Sequence, residues 1–195
     1  SNSMNIIAFV GSPRKNGNTD ILVEHFLEGA RSKGAETEKV YLYECNIKFC
    51  QGCYKNCWIN PNDCTRHRDD MDDLIPKMLK SDLILFASPV YMGSYSAQLT
   101  AFFERCIPVH HVDLENNIMV NNRFKGKNAV IALVHDSPDP ATAQIPFMAF
   151  ERVLNLFQMN TLGKIHVSGV RDQGDIKKKE AQLKETYQLA VKLCS

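Results

Sequence analysis

Features that mark several specialised classes of protein are missing from this sequence. Its 23 lysines and arginines balance 22 aspartates and glutamates, so charge does not favour nucleic acid or a membrane surface as a partner. No apolar run is long enough to span a membrane, and the N-terminus lacks a signal-peptide pattern. Repeats, low-complexity tracts and linkers are absent as well. These absences predict one cytoplasmic domain with neither nucleic acid nor membrane as a partner.

Short apolar runs alternate with amphipathic segments, which predicts an α/β fold. Strands are expected at 6–10, 38–43, 82–88, 127–134 and 160–167. Helices are expected at 21–30, 70–80, 96–106, 146–157 and 177–193. This alternation predicts a doubly wound parallel sheet whose ligands bind beyond the carboxyl ends of its strands. The domain is expected to span 4–195, because Ser1-Asn2-Ser3 before Met4 is typical of a scar left by tag removal.

The loop after the first strand carries the strongest chemical signal. Its sequence is Gly11-Ser12-Pro13-Arg14-Lys15-Asn16-Gly17-Asn18-Thr19. Backbone N–H groups of such a loop converge at a helix N-terminus, where the helix dipole favours an anion. The loop lacks both Gly-x-x-x-x-Gly-Lys-Ser/Thr and Gly-x-Gly-x-x-Gly, which argues against a triphosphate held with magnesium and against a dinucleotide. Hydroxyl and amide donors together with the arginine fork favour a monoester phosphate. The alternative is an ordinary turn with Asn18 or Thr19 as the helix N-cap.

A second candidate loop, 88–94, follows the third strand. Tyr91 and Met92 suit contact with a flat aromatic ring, and Gly93 allows backbone N–H groups to approach the polar edge of that ring. Taken alone, this segment is better explained as a plain loop over the core. Beside a phosphate loop at the same edge of the sheet, it predicts a ring contact.

Four of the seven cysteines lie close together, in the pattern Cys50-x2-Cys53-x3-Cys57-x6-Cys64. A chain without features of secretion argues against a disulfide framework. Three interpretations remain open, which are an iron–sulfur cluster, a structural zinc site and four reduced thiols in a loop.

Two of these motifs resemble one family. Gly-Ser-Pro-Arg-x-x-Gly-Asn-Thr is similar to the phosphate loop of the flavodoxin-like NAD(P)H-dependent FMN reductases, and Ser88-Pro89-Val90-Tyr91 before a helix that ends in Phe103-Glu104-Arg105 resembles the same family. The resemblance implies a flavodoxin-like three-layer sandwich with a five-stranded parallel sheet in the order 2-1-3-4-5. It implies that residues of both loops hold FMN: Ser12, Arg14, Asn16, Asn18, Thr19, Pro89, Val90, Tyr91, Met92 and Gly93.

The cysteine segment resembles a branch of that family, the iron–sulfur flavoproteins. Those proteins carry a compact cysteine motif between the second strand and the next helix, and the segment at about 45–69 lies there. Asp69-Asp70-Met71 also matches the helix start of the branch. The resemblance implies a [4Fe–4S] cluster held by Cys50, Cys53, Cys57 and Cys64. The spacing departs from the branch at one point, because three residues rather than two separate Cys53 from Cys57.

The resemblance implies an FMN-dependent oxidoreductase that passes electrons from NAD(P)H to a small-molecule or protein acceptor. The flavin carries the chemistry, so no catalytic side chain is expected. The alternatives are an iron–sulfur electron carrier that exchanges electrons with ferredoxin, and a non-enzymatic FMN-binding module. Either a homodimer or a homotetramer is expected, because a flavin at the strand ends of a single short domain needs a lid.

The resemblance is weaker over two later segments. His135 stands in the loop after the fourth strand, where relatives have a Thr/Gly-rich loop that approaches the flavin ring. Near the ring, His135 would tune the flavin or meet a substrate, but a lone loop histidine is expected to be solvated. Residues 107–126 predict no clear element and are a candidate for subunit contacts.

Overall fold

Residues 3–59 and 64–195 are described by the computed structural model, and they form a sheet between two layers of helices. The strands are β1 Asn5–Val10, β2 Glu36–Tyr41, β3 Leu83–Tyr91, β4 Ser94–Tyr95, β5 His110–Asp113, β6 Ile118–Asn122, β7 Asn128–Val134 and β8 Asn160–Val167. The helices are α1 Asn18–Arg31, α2 Tyr54–Ile59, α3 Met71–Lys80, α4 Ala97–Glu104, α5 Gln144–Leu156 and α6 Glu180–Leu193.

The main sheet has the order β2-β1-β3-β7-β8, and all four of these pairings are parallel. Numbered along the chain, these five strands follow the predicted order 2-1-3-4-5, so the flavodoxin-like fold is confirmed. The short strand β4 pairs antiparallel with β3 and makes the sheet six-stranded rather than five-stranded. Within the described ranges, no helix combines the length and the apolarity needed to cross a bilayer.

Alternate side chains of β1 pack on opposite faces of the sheet. Ile6, Ala8 and Val10 pack in the core that α1 and α6 cover. Ile7 and Phe9 pack in the opposite core, beneath α3, α4 and α5. Because helices cover both faces, the strand is apolar at every position from 6 to 10, as expected for a buried parallel strand.

Strand β3 is longer than predicted. Its pairing with β7 continues through Ser88 and Pro89, and the strand ends at Tyr91. The predicted loop is therefore reduced to Met92 and Gly93, which have positive φ of 48° and 77° and form the turn into β4. The ladder to β7 extends the strand through Pro89, and the pairing of Val90 and Tyr91 with β4 extends it to its end, because these partners supply the backbone hydrogen bonds that a loop would lack.

Two segments contain elements that the sequence does not predict. Residues 107–126 form a 3-10 turn at Ile107–Val109 and then an antiparallel hairpin of β5 and β6. Asn117 in the hairpin connection has a φ of 53°, a conformation that asparagine adopts more readily than most residues. Helix α2 lies inside the cysteine segment, which is therefore not a simple loop.

Several other element boundaries differ from the predicted ones by two or three residues. Strand β2 begins and ends two residues earlier, at Glu36–Tyr41. Helix α1 begins at Asn18 because the extended backbone of Gly17 forms its N-cap. Helix α6 begins at Glu180, after a 3-10 turn at Asp175–Lys178.

Candidate functional site

A cleft of about 320 Å³ opens at the carboxyl ends of β1, β3 and β7. This is the edge of the sheet where the strand order reverses and where ligands of such folds bind. Seven of the ten residues predicted to hold a cofactor line it: Ser12, Arg14, Asn18, Thr19, Pro89, Val90 and Tyr91. The structure therefore brings the two predicted loops together in one cleft.

The loop before α1 provides no side-chain cap for the start of that helix. Gly17 is the N-cap, and no side chain in the described part of the chain bonds to the free N–H groups of the first turn. The alternative in which Asn18 or Thr19 is the N-cap is wrong. The N–H of Gly17 donates to the Arg14 carbonyl at 2.9 Å, and a Cβ at Gly17 would lie 2.8 Å from that oxygen. The turn therefore requires glycine there, and its N–H groups remain available to an anion.

The Asn18 side chain is hydrogen-bonded to the segment after β8. Its Nδ2 donates to the Asp172 carbonyl at 3.0 Å, and its Oδ1 accepts from the Ile176 N–H at 3.1 Å. The side chain is almost fully buried and ties the segment after β8 to the start of α1. Asn18 thus forms part of the wall of the cleft, and its assignment to FMN stays a prediction.

Three of the predicted cofactor residues do not line the cleft. Asn16 is exposed, has a φ of 61°, and accepts a hydrogen bond at its carbonyl from the Gln173 side chain. Met92 is fully exposed at the turn after β3, beside exposed Gly93. Their assignment to FMN stays a prediction.

Five lining residues escaped the sequence-based selection of site residues: Val134, His135, Asp136, Val170 and Arg171. Val134 ends β7, and the two residues after it enter the cleft at the same edge as the other loops. Arg171 lies 3.5 Å from the Asp136 carboxylate and adds a second arginine to the cleft. The position of 134–136 directly after a buried strand was the signal that could have identified them.

His135 is buried, with 4% of its surface exposed, so the expectation that it is solvated is wrong. Its Nε2 lies 2.7 Å from the Nε2 of His166 on β8, and one hydrogen must lie between the two nitrogens for them to bond. Burial lowers the pKa of both imidazoles, and the neighbouring Asp136 and Asp139 only partly oppose this for His135. The pair is therefore neutral at pH 7 and holds its shared hydrogen at the side of the cleft.

The four clustered cysteines line a second, smaller cavity of about 160 Å³. Burial, together with the nearby Cys53 and Cys50, raises the pKa of Cys57 to about 11. Four sulfurs around one cavity are the type of ligand atom that binds zinc or an iron–sulfur cluster. Across 3–59 and 64–195, however, no three His, Cys, Asp or Glu side chains are arranged so that they could hold a metal ion. Metal binding by Cys50, Cys53, Cys57 and Cys64 stays a prediction.

Arg105 lines this cysteine cavity and belongs to a buried ion pair. Arg105 donates to the two carboxylate oxygens of Asp69 at 2.6 and 3.2 Å and to the Lys48 carbonyl at 2.7 Å. Burial opposes the charge on Asp69, but these hydrogen bonds and two backbone N–H groups outweigh it and hold its pKa below the ordinary value. The pair fixes the helix start after the cysteine segment against the end of α4.

Comparisons with known proteins agree with this geometry. Residues 4–172 match the model of a family described as NADPH-dependent FMN reductase. An iron-sulfur flavoprotein of Methanosarcina thermophila is 33% identical over 140 residues, which are 68% of this chain and 72% of that protein. An iron-sulfur flavoprotein of Archaeoglobus fulgidus is 35% identical over 108 residues, which are 55% of this chain and 48% of that protein. The chain thus spans about half the length of this second relative.

A solved structure shows the same fold. NAD(P)H:quinone oxidoreductase from Methanothermobacter marburgensis superposes with a TM-score of 0.74 over 98% of this chain and 100% of that one. The sequence identity is 16%, so this likeness concerns the fold alone.

Proposed function

The chain belongs to the NADPH-dependent FMN reductase family, and from this membership we propose that it is an FMN-dependent oxidoreductase that uses NAD(P)H. One observation carries the proposal beyond the family. The uncapped start of α1, the Arg14 fork and the end of β3 meet in one cleft at the reversal of strand order. That arrangement offers a phosphate site and a ring site to the same ligand.

The residues of the cleft fit FMN by the chemistry of their donors. The N–H groups of the first turn of α1, the Ser12 hydroxyl and the Arg14 guanidinium would hold the phosphate. Pro89, Val90 and Tyr91 at the end of β3 would hold the ring. When bound, FMN accepts hydride from a nicotinamide and passes electrons to an acceptor.

The side chains of the protein have supporting tasks in this proposal. Val134 and Val170 give the cleft apolar walls that exclude water from its base. His135 and His166 keep one hydrogen between them and present no charge at neutral pH. No acid or base is required of the protein, since positioning and exclusion of water suffice for hydride transfer.

Titration of the apoprotein with FMN, followed by NADH and NADPH oxidation assays, tests this proposal. We expect FMN fluorescence to be quenched on binding and reduced nicotinamide to be consumed over many turnovers. Tight FMN binding without turnover would instead support the non-enzymatic FMN-binding module. Failure to bind FMN would overturn the proposal.

A second candidate function is electron carriage through a [4Fe–4S] cluster to a partner such as ferredoxin. It is favoured by one observation, which is that the four clustered cysteines share one cavity beside Arg105. Protein purified without oxygen should then contain iron and sulfide at about four each per chain. Cys53→Ser should lose both, while Cys194→Ser, outside the cavity, should keep them. Zinc would favour a structural site, and a metal-free folded protein would contradict the cluster.

We also propose that the protein is a homodimer or a homotetramer. Large apolar side chains that do not line the cleft are exposed on the β5–β6 hairpin and on α5, and they are Ile118, Met119, Val120, Ile145, Met148 and Leu156. Burying such residues between copies would remove apolar area from water. Light scattering during size exclusion should show two or four chains, and an active monomer at micromolar concentration would contradict this.

A further inference from the structure

A buried carboxylate lies directly behind the phosphate loop, at a position that the sequence analysis does not single out. Asp20 stands in the first turn of α1 and has 3% of its surface exposed. Its Oδ1 accepts from the Lys39 Nζ at 2.8 Å, and its Oδ2 accepts from the Tyr41 hydroxyl at 2.9 Å. Oδ2 also accepts from the backbone N–H of Asn16, at 2.8 Å. Two residues of β2 and one of the loop therefore converge on a single carboxylate.

The bond to Asn16 fixes the shape of the loop. Asn16 has a φ of 61°, which costs energy for a residue other than glycine. The hydrogen bond from its N–H to Asp20 compensates for that cost and stands next to the turn that Gly17 closes on Arg14. The carboxylate thus holds the part of the loop that carries the arginine.

The charge of Asp20 is unfavourable for an anion bound at the same helix end. Lys39 offsets it, and Lys39 also donates to Glu24 at 2.8 Å, which in turn pairs with Arg31. Burial would lower the pKa of Lys39, but its hydrogen bonds to the two carboxylates outweigh burial and raise it. The four groups alternate in sign, so Asp20 adds no net charge beside the cleft as long as Lys39 is present.

We propose that Asp20, Lys39 and Tyr41 are positioning residues for the phosphate loop. Asp20 holds the loop in the shape that receives a phosphate monoester, and Lys39 cancels the repulsion that the carboxylate would exert on it. This inference rests on the proposed function, in which the monoester is the phosphate of FMN. It predicts that residues outside the cleft control affinity for the phosphate and leave affinity for the ring unchanged.

A double-mutant cycle with two ligands tests this inference. Dissociation constants for FMN and for riboflavin, which lacks the phosphate, are measured by fluorescence quenching for the wild type, Asp20→Asn, Lys39→Met and the double variant. We expect Lys39→Met to weaken FMN binding by roughly tenfold, because the uncompensated carboxylate repels the phosphate. The double variant should return to within about threefold of the wild type, since the repelling charge is gone.

Riboflavin binding distinguishes a positioning role for these residues from damage to the fold. Its dissociation constant should be the same in all four proteins, whereas damage to the fold would weaken both ligands. Lys77→Met is the matched control, because Lys77 pairs with exposed Glu38, which lies on the face of β2 opposite to that of Lys39, and it should bind FMN normally. Additive losses in the double variant would overturn the inference, as would Lys39→Met binding FMN like the wild type.

Tyr41→Phe keeps the inference testable if Lys39→Met does not fold. It removes one hydroxyl from Asp20 and should weaken FMN binding about threefold, with riboflavin unaffected. Equal loss for both ligands, or none for either, would overturn the inference. A wild type that binds riboflavin and FMN equally would reject the phosphate site itself, and one that binds neither would reject the proposed function.

Discussion

At the residue scale, Arg14 is the side chain that the proposed function depends on most directly. It is exposed, lines the cleft, and follows Ser12, whose hydroxyl accepts from the Arg14 N–H at 3.2 Å. Arginine differs from lysine here because its planar fork matches two phosphate oxygens at once. The side chain is thus available to a phosphate without breaking a hydrogen bond that shapes the loop.

Replacing Arg14 by alanine should weaken FMN binding by about ten- to a hundredfold. A charge-assisted pair of this kind contributes roughly 1.5–3 kcal/mol, and every 1.4 kcal/mol is about a tenfold change in affinity. Fluorescence titration of the apoprotein measures the change. Lys33→Ala, which removes the same charge beyond the far end of α1, should have no effect. Equal affinity of Arg14→Ala and the wild type would contradict the assignment of the phosphate site.

At the element scale, the contact between α1 and α6 is unusually close. Gly29 faces α6 in this contact, and a Cβ there would lie 2.3 Å from the Tyr187 carbonyl oxygen and 3.1 Å from the Ala190 Cβ. Backbone cannot yield as a flexible side chain can, so the helices would have to separate. Because α1 also begins at the cleft, this packing fixes the axis along which its first turn points.

Gly29→Ala should therefore destabilise the protein, although alanine is the better helix former by about 1 kcal/mol. Overpacking of this kind costs typically about 1–3 kcal/mol, which exceeds the gain in propensity or nearly cancels it at the lower limit. Urea unfolding should show a lower midpoint with an unchanged slope. The neighbouring exposed Glu28→Ala should leave the midpoint nearly unchanged, and a stabilised Gly29→Ala would show that the helices can separate freely.

At the scale of the whole molecule, three histidines couple stability to pH. Burial lowers the pKa of His110, His135 and His166 below the ordinary value of about 6.5. Between that value and the lowered ones, the unfolded chain binds protons that the folded chain does not. The free energy of unfolding is therefore fully retained above about pH 6.5 and falls as the pH drops toward the folded pKa values.

Urea unfolding at pH 7.5 and pH 5.5 measures this dependence. The midpoint should be lower at pH 5.5, where protonation of the unfolded chain competes with folding. His166→Asn should show a smaller drop, because one of the three contributing groups is gone. A midpoint that is the same at both pH values would contradict the lowered pKa values of these three histidines.

Apolar runs were sufficient to predict where the central parallel strands lie, because β1, β3 and β7 are buried on both faces and show this in their composition. The order of the strands followed from the family resemblance. The hairpin of β5 and β6 was missed for the opposite reason. Its second strand exposes Ile118, Met119 and Val120 in succession, so no alternation marks it as a strand. The end of β3 was misplaced because Ser88 and Pro89 pair with β7, about 45 residues along the chain, and Val90 and Tyr91 pair with the short strand β4.

The sequence by itself determined the hydrogen-bond donors of the loop before α1, since the residues of that loop are contiguous and their chemistry is local. Only the tertiary structure decided which distant residues contact this loop and the cleft around it. It paired His135 with His166 through the β7–β8 ladder, and it bound Asn18 to the carbonyl of Asp172, 154 residues away. It also placed Lys39 against Asp20. These partners depend on how distant elements pack, and the pattern of residue types along the chain does not predict that packing.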